Sequence, residues 1–201
     1  MKKFRVICIS LVLLLIFSFG QNLKSIIEKD RARRFLINQL YSSLYTISFN
    51  LDGIILNLES NITDDAVNQD SIEMLSVYFA KLDTIITQHR FYFDELYHPG
   101  ILSFDYISYT LGSGSGETNG IRYNGILKDN AISENEIRYL TILRDDIKLI
   151  VNDMVSAENP PQENPDISIT RLNAILGNFY DKWSSIHEED SPYLLLRDEE
   201  R

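Results

Sequence analysis

Apolar residues recur at alternating spacings of three and four in separate stretches of this chain. The first runs Ile37, Leu40, Leu44, Ile47, Leu51, Ile54 and Leu58. The second runs Ile72, Leu75, Phe79, Leu82, Ile86, His89, Phe93 and Leu96. The third is Leu140, Leu143, Ile147, Ile150 and Met154, and the last is Ile169, Leu172, Leu176, Phe179, Trp183 and Ile186. A mean spacing near 3.5 keeps one side of a helix turned toward a neighbour. Ile55, Ile85, Val151, Val155 and Ile175 widen the stripes, which suits a globular bundle better than a two-stranded coil. The pattern predicts an all-α fold, an antiparallel four-helix bundle over residues 35–190.

Terminus signals agree. Ser133-Glu134-Asn135-Glu136 has the form of a capping box, with Ile132 and Ile137 placed as a staple. Asp70 precedes Glu73 in similar fashion, and Asp166 or Ser168 is placed to cap the last helix. Pro99-Gly100, Pro160-Pro161 and Pro192 are stop signals for helices two, three and four. Gly53 and Gly177 fall inside helices, where they serve close helix approach or are simply tolerated. The links at 61–70 and 158–167 are short, as between antiparallel neighbours.

The long crossover, 99–133, combines two chemistries. Phe104, Tyr106, Ile107 and Tyr109 on one side and Ile121, Tyr123 and Ile126 on the other are too apolar for a free linker. Ser103 to Leu111 reads as a short helix and 121–127 as a strand or extended cover. Between them, Gly112 to Gly120 is rich in glycine and has no strongly apolar residue, so it reads as a mobile tip between two docked arms. Residues 191–201 read as a C-terminal tail.

The N-terminal twenty residues differ from all of this. Val6 to Phe19 is uncharged and mostly apolar, behind Lys2, Lys3 and Arg5. It reads as a signal anchor that contacts the membrane through residues 6–20, with a signal peptide cleaved after Gly20 as the alternative. Fourteen residues rise about 21 Å, short of a hydrocarbon core of roughly 30 Å. The deficit shrinks if Leu23, Ile26 and Ile27 continue the helix and Lys24 snorkels. Residues 21–34, with Asp30 and Arg33 in positions that a stripe would fill with apolar residues, read as a juxtamembrane stalk. Lys24, Lys29, Arg31, Arg33 and Arg34 follow the run and, counted against the leader, favour a cytoplasmic domain. A short basic head followed by an apolar run is, however, what secretion machinery reads. The expected place is therefore the cell membrane, single-pass, with the domain extracytoplasmic.

Composition narrows function mainly by exclusion. The chain has 201 residues, is 44% hydrophobic and 11% aromatic, and carries a net charge of −10. Beyond the leader the balance is 16 basic against 29 acidic residues. A nucleic-acid partner is not expected, because phosphate binding needs clustered positive charge. Cys8 is the only cysteine and lies inside the apolar run, so disulfides within the chain and cysteine metal sites are excluded.

Candidate chemistry is sparse. Glu95-Leu96-Tyr97-His98 has the Glu-x-x-His spacing of di-iron bundles, but such a site needs a second copy, and neither His89 nor His187 supplies one. Asp64, Asp65 and Asp70 lack the glycine and glutamate placement of a calcium loop. The Gly-Ser run at 112–116 lacks the Gly-Lys-Ser/Thr ending of a phosphate loop. No catalytic residue, cofactor or metal is expected, and the chain is not expected to be an enzyme. His89 reads as a satisfied core histidine. His89, Tyr92, Tyr97, Phe104, Tyr106 and Tyr109 remain as a candidate ligand or partner surface where the second helix meets the crossover.

In architecture alone the layout resembles the extracytoplasmic input domains of bacterial receptors, with no shared motif. A receptor of that kind would need a second membrane helix and an output domain after the fourth helix, and neither is expected after Tyr193 to Arg201. The expected function is a non-catalytic protein-interaction module of the cell envelope, with an envelope protein as partner and room for a homo-oligomer. The alternative is a small-molecule binding or sensing bundle.

Overall fold

The computed structural model describes residues 2–60, 65–96, 103–112, 114–118, 121–128, 132–156, 163–184 and 191–197. The chain is mostly helical. Helices α1 (Lys2–Glu59), α2 (Asp65–His89), α4 (Glu134–Asp153) and α5 (Ile169–Ser184) carry the four stripes, and α3 (Ser103–Leu111) lies in the crossover. A hairpin of β1 (Ser115–Thr118) and β2 (Ile121–Asn124) follows α3, and two 3-10 turns cover Ile126–Lys128 and Pro192–Leu196.

Helix α1 is continuous over 58 residues, about 87 Å at 1.5 Å per residue. Nothing in it interrupts the hydrogen-bond ladder, since it contains no proline. Residues 10–29 are exposed on every side, and full burial begins at Leu36. One helix, within Ser10–Glu59, is long and apolar enough to cross a membrane, with a mean hydropathy of 1.6 over its most apolar window.

Every apolar stripe residue from Ile37 to Ile54, from Ile72 to Leu96, from Leu140 to Met154 and from Ile169 to Trp183 is buried in one core, and the stripe's His89 is buried too. Leu58 is partly buried against it, and Ile186 lies outside the described residues. Side-chain contacts fix how the helices run. The Phe35 ring, low on α1, meets His89 at the end of α2, with centroids 5.9 Å apart. On α4, Lys148 reaches Asp52 of α1 at 2.7 Å. The segment after α4 then returns to the start of the core, where Asn38 donates to Glu163 at 2.7 Å. Helix α5 climbs back beside α4, so that Lys182 and Trp183 both reach Asp146.

The ends of the helices follow their sequence signals unevenly. Ser133 accepts from the Glu136 amide at 3.2 Å while Glu136 accepts from the Ser133 amide at 2.6 Å, which is the capping box. Ser168, rather than Asp166, caps α5 by accepting from the Arg171 amide at 3.1 Å. Asp70 caps nothing, because α2 already starts at Asp65. Helix α2 also stops at His89 and does not run on to Pro99. Three aromatic residues in succession, Phe91 to Phe93, lose rotamer freedom in a helix. Turns closed by Phe93 N to His89 O (3.1 Å) and Leu96 N to Phe93 O (3.0 Å) still bury Phe93 and Leu96. Pro99-Gly100 and Pro160-Pro161 lie outside the described residues.

The crossover differs from a mobile tip between two arms. Helix α3 and the buried Tyr123 and Ile126 dock as expected. The centre, however, is built into the hairpin, with Ser115 opposite Asn124 and Thr118 opposite Ile121. Leu127 N donates to Gly112 O at 3.1 Å and closes the base. A Cβ at Gly125 would collide with the Gly112 carbonyl oxygen, and a Cβ at Gly114 would meet the Tyr109 ring at 2.6 Å. These glycines permit close packing of the crossover on itself. Gly53 and Gly177, by contrast, would have nothing within 4 Å of an added Cβ, so they mediate no close helix approach.

Two boundaries shift. Of the C-terminal tail expected over 191–201, the described part, 191–197, is packed down: Pro192, Tyr193 and Leu196 are buried and Arg197 bridges to Tyr123 of β2. The stalk of residues 21–34 is free only through Lys29. From Asp30 onward α1 is clasped to the segment before α5, where Arg33 donates to Pro165 O (3.0 Å) and Ile167 O (2.6 Å).

Candidate functional site

The aromatic candidates divide between the two ends of the core. His89 and Tyr92 sit at the end nearest the N-terminal run, with rings 6.5 Å apart. His89 is 6% exposed, and its Nδ1 lies 2.8 Å from the Ile85 carbonyl, one turn back. That contact partners one of the two ring nitrogens. Tyr92 is exposed, as are Phe35 and Phe91 beside it in sequence or space, and Phe91 is 89% exposed. Tyr97 lies outside the described residues.

Phe104 is in the middle of the core. It stacks on Phe179 at 5.2 Å and meets Tyr180 at 5.6 Å and Phe79 at 6.1 Å. A ring so enclosed contributes packing rather than a surface. Tyr106 and Tyr109 belong to the far end. Tyr106 packs on Tyr193 at 4.8 Å and Tyr123 at 5.7 Å, while Tyr109 is about half exposed.

The far end is an aromatic plug that sequence reasoning missed. Tyr139 of α4, Trp183 of α5 and Tyr193 pack against one another, with centroids 5.4 to 6.0 Å apart. Their polar tips are paired. Tyr139 shares a hydrogen bond with Thr110 at 2.9 Å, Tyr193 donates to the Trp183 carbonyl at 3.1 Å, and Trp183 donates to Asp146 at 2.8 Å. Burial holds the phenols of Tyr106, Tyr139 and Tyr193 well above the usual tyrosine range, and neighbouring Tyr123 adds to the shift at Tyr106. Neutral, buried phenols of this kind are structural.

The near end is polar and open. A cleft of about 400 Å³ is lined by Lys29, Asp30, Arg33, Tyr92, Asp166 and Thr170, among others. Asp30 is held below the usual carboxylate range, first by its hydrogen bond from Arg33 (2.7 Å) and further by Arg34. A second cleft of about 380 Å³ lies between α4 and α5, with Leu149, Asp153, Ile175 and Phe179 on its walls. Among the described residues no three His, Cys, Asp or Glu side chains come together as a metal site.

A third feature runs along the outside of α1. Tyr45, Phe49 and Leu56 are exposed at helical spacings of four and seven, which places them on one face. From Phe35 to Leu58 the only charged residue is Asp52, which is engaged by Lys148 and Arg144. The outer stripe is visible in the sequence, but the stronger inner stripe masks it. No family model, no curated protein and no solved structure matches the chain.

Proposed function

We propose that this protein is a membrane-anchored, non-catalytic interaction module: an extracytoplasmic four-helix bundle on a single N-terminal membrane helix, which binds another envelope protein. The observation that carries this is the outer ridge of α1, where Tyr45, Phe49 and Leu56 stand exposed in a stretch almost without charge. An uncharged aromatic-aliphatic face on an otherwise acidic molecule is the composition of a buried interface core. The packed aromatic plug at the far end supports the same reading, because it leaves little room there for a small molecule.

The membrane helix is supported by continuity. Leu23, Ile26 and Ile27 do extend the same helix as Val6 to Phe19. From Val6 to Ile27 that helix rises about 33 Å, enough for a hydrocarbon core of about 30 Å. Small-molecule binding takes second place, and the open cleft beside Arg33 is the feature in its favour.

The test is site-specific photo-crosslinking in the native cell. A photoreactive residue at Phe49 should give a discrete adduct, and one at the exposed Lys81 of α2 should not. An adduct at twice the mass of the chain would identify a second copy as the occupant. Absence of any adduct at positions 45, 49 and 56 would reject the ridge as an interface. Alkaline phosphatase fused at the C-terminus should be active, whereas fluorescence of a fused fluorescent protein with inactive phosphatase would reverse the orientation.

A further inference from the structure

We propose that the near end of the core is a lipid-contact surface, with Phe91 and Tyr92 entering the headgroup layer of the membrane that holds α1. This rests on the anchor reading above and concerns what the folded part does once tethered. The level of the end follows from helix geometry. Arg5 is the last charge before the apolar run, and about 20 residues of helix span the hydrocarbon core, which brings its far boundary to Ile26 or Ile27. The headgroup layer adds roughly 5 to 8 Å on each side, or residues 28 to 32 of α1. Tyr92 lines the same cleft as Lys29 and Asp30, so it lies at that level. Phe91, next to it, is the most exposed large apolar side chain among the described residues, at 89%.

The clasp makes the placement rigid. Because Arg33 ties α1 to the carbonyls of Pro165 and Ile167, no free stalk separates the core from the membrane boundary. Charge selects the orientation. The molecule beyond the leader is strongly acidic, yet at this end Lys29, Arg31, Arg33, Arg34 and Arg90 balance Glu28, Asp30, Asp94, Glu95 and Asp166. A near-neutral end bearing aromatic rings can approach lipid headgroups that would repel the rest of the surface. Aqueous exposure of Phe91 has no packing benefit within the protein, whereas the interface accommodates aromatic side chains at this depth.

The test uses the full chain in a Cys8→Ser background, so that a single probe site can be introduced. Phe91→Cys carrying an environment-sensitive fluorophore is compared with Leu149→Cys, an exposed position on α4 far from the boundary. Both are reconstituted in vesicles of phosphatidylcholine with a minority of phosphatidylglycerol. At position 91 the emission should shift to the blue and be quenched by lipids labelled with nitroxide near the headgroup, and at 149 neither should occur. Retention of the chain in carbonate-washed vesicles together with equal, water-like emission at 91 and 149 would overturn the docking alone. Release of the chain by carbonate, or a mature protein beginning at Gln21, would overturn the anchor and the docking with it. A probe at 91 shielded in native membranes but bathed in water in the pure lipid vesicles would mean that a protein covers the patch, and would also overturn the proposal.

Discussion

Phe104 and Tyr92 come from one aromatic-rich stretch and have opposite energetics. Phe104 is enclosed by Phe79, Phe179 and Tyr180, so Phe104→Ala removes a buried ring and leaves a cavity. It should cost about 3–5 kcal/mol. Tyr92 is mostly in solvent, and Tyr92→Ala should cost less than about 0.5 kcal/mol in detergent-solubilised protein. Chemical denaturation of the two variants checks the contrast, and comparable losses would contradict the burial assigned to them. Glycines divide in the same way. At Gly125 an added Cβ meets the backbone of Gly112 and Gly114, which cannot swing aside, so Gly125→Ala should destabilise by about 1–3 kcal/mol. At Gly53 and Gly177 nothing is met, and alanine should stabilise each helix by about 0.5–1 kcal/mol. Thermal melts should therefore shift downward for the first variant and upward for the other two.

Helix α4 shows how far a local signal reaches. Its capping box satisfies the Glu136 and Ser133 amides reciprocally, and Ser133→Ala should cost about 1 kcal/mol. Hydrogen exchange should speed up in the first turn of α4 while Leu143 and Ile147 stay protected. That box is legible in sequence because capping is decided within four residues. The inner stripes are legible because helical burial imposes a period, and stripe residues such as Leu82 and Leu176 are fully buried. Other elements have no such signature. The strand Ser115–Thr118 has no apolar alternation, and it exists through its pairing with β2 and the closure of Gly112 on Leu127. Leu194 and Leu195 lie between the buried Tyr193 and Leu196 in a run too short to carry a period. The candidate site failed to gather for a related reason. Proximity in sequence joined His89, Tyr92, Phe104, Tyr106 and Tyr109, but α3 carries the last three away from the end where α2 stops.

At the scale of the molecule, the two ends of the core are closed by different chemistry and should weaken at opposite pH. The near end is held by an ionic clasp: Arg33 bonds Asp30, Pro165 O and Ile167 O, with Asp166 close by at 3.9 Å. Asp30 has its folded pKa depressed below the ordinary value of 3.8. A depressed carboxyl contributes stability that is present above 3.8 and is lost as pH falls through the lower, folded value. The far end is held by buried phenols whose folded pKa values are raised above the ordinary 10.0. For a raised phenol the sign reverses. Below 10 both states are neutral and the contribution is complete, and above 10 the unfolded chain ionises first and draws the equilibrium toward itself. The Asp30 side chain is 44% exposed and Arg33 keeps its bonds to the two neutral carbonyls, so hydrogen exchange resolved by segment should show residues 163–170 losing protection only modestly on acidification below about pH 4. Above about pH 10 the far end should weaken instead, with Tyr139, Trp183 and Tyr193 exposed first and phenolate absorbance rising together with loss of structure. Tyr193→Phe separates the causes. It removes the ionisation and the bond to the Trp183 carbonyl but keeps the ring, so it should lower stability at neutral pH by about 1 kcal/mol while flattening the alkaline loss. An alkaline profile unchanged by that substitution would place the high-pH weakness elsewhere than in the aromatic plug.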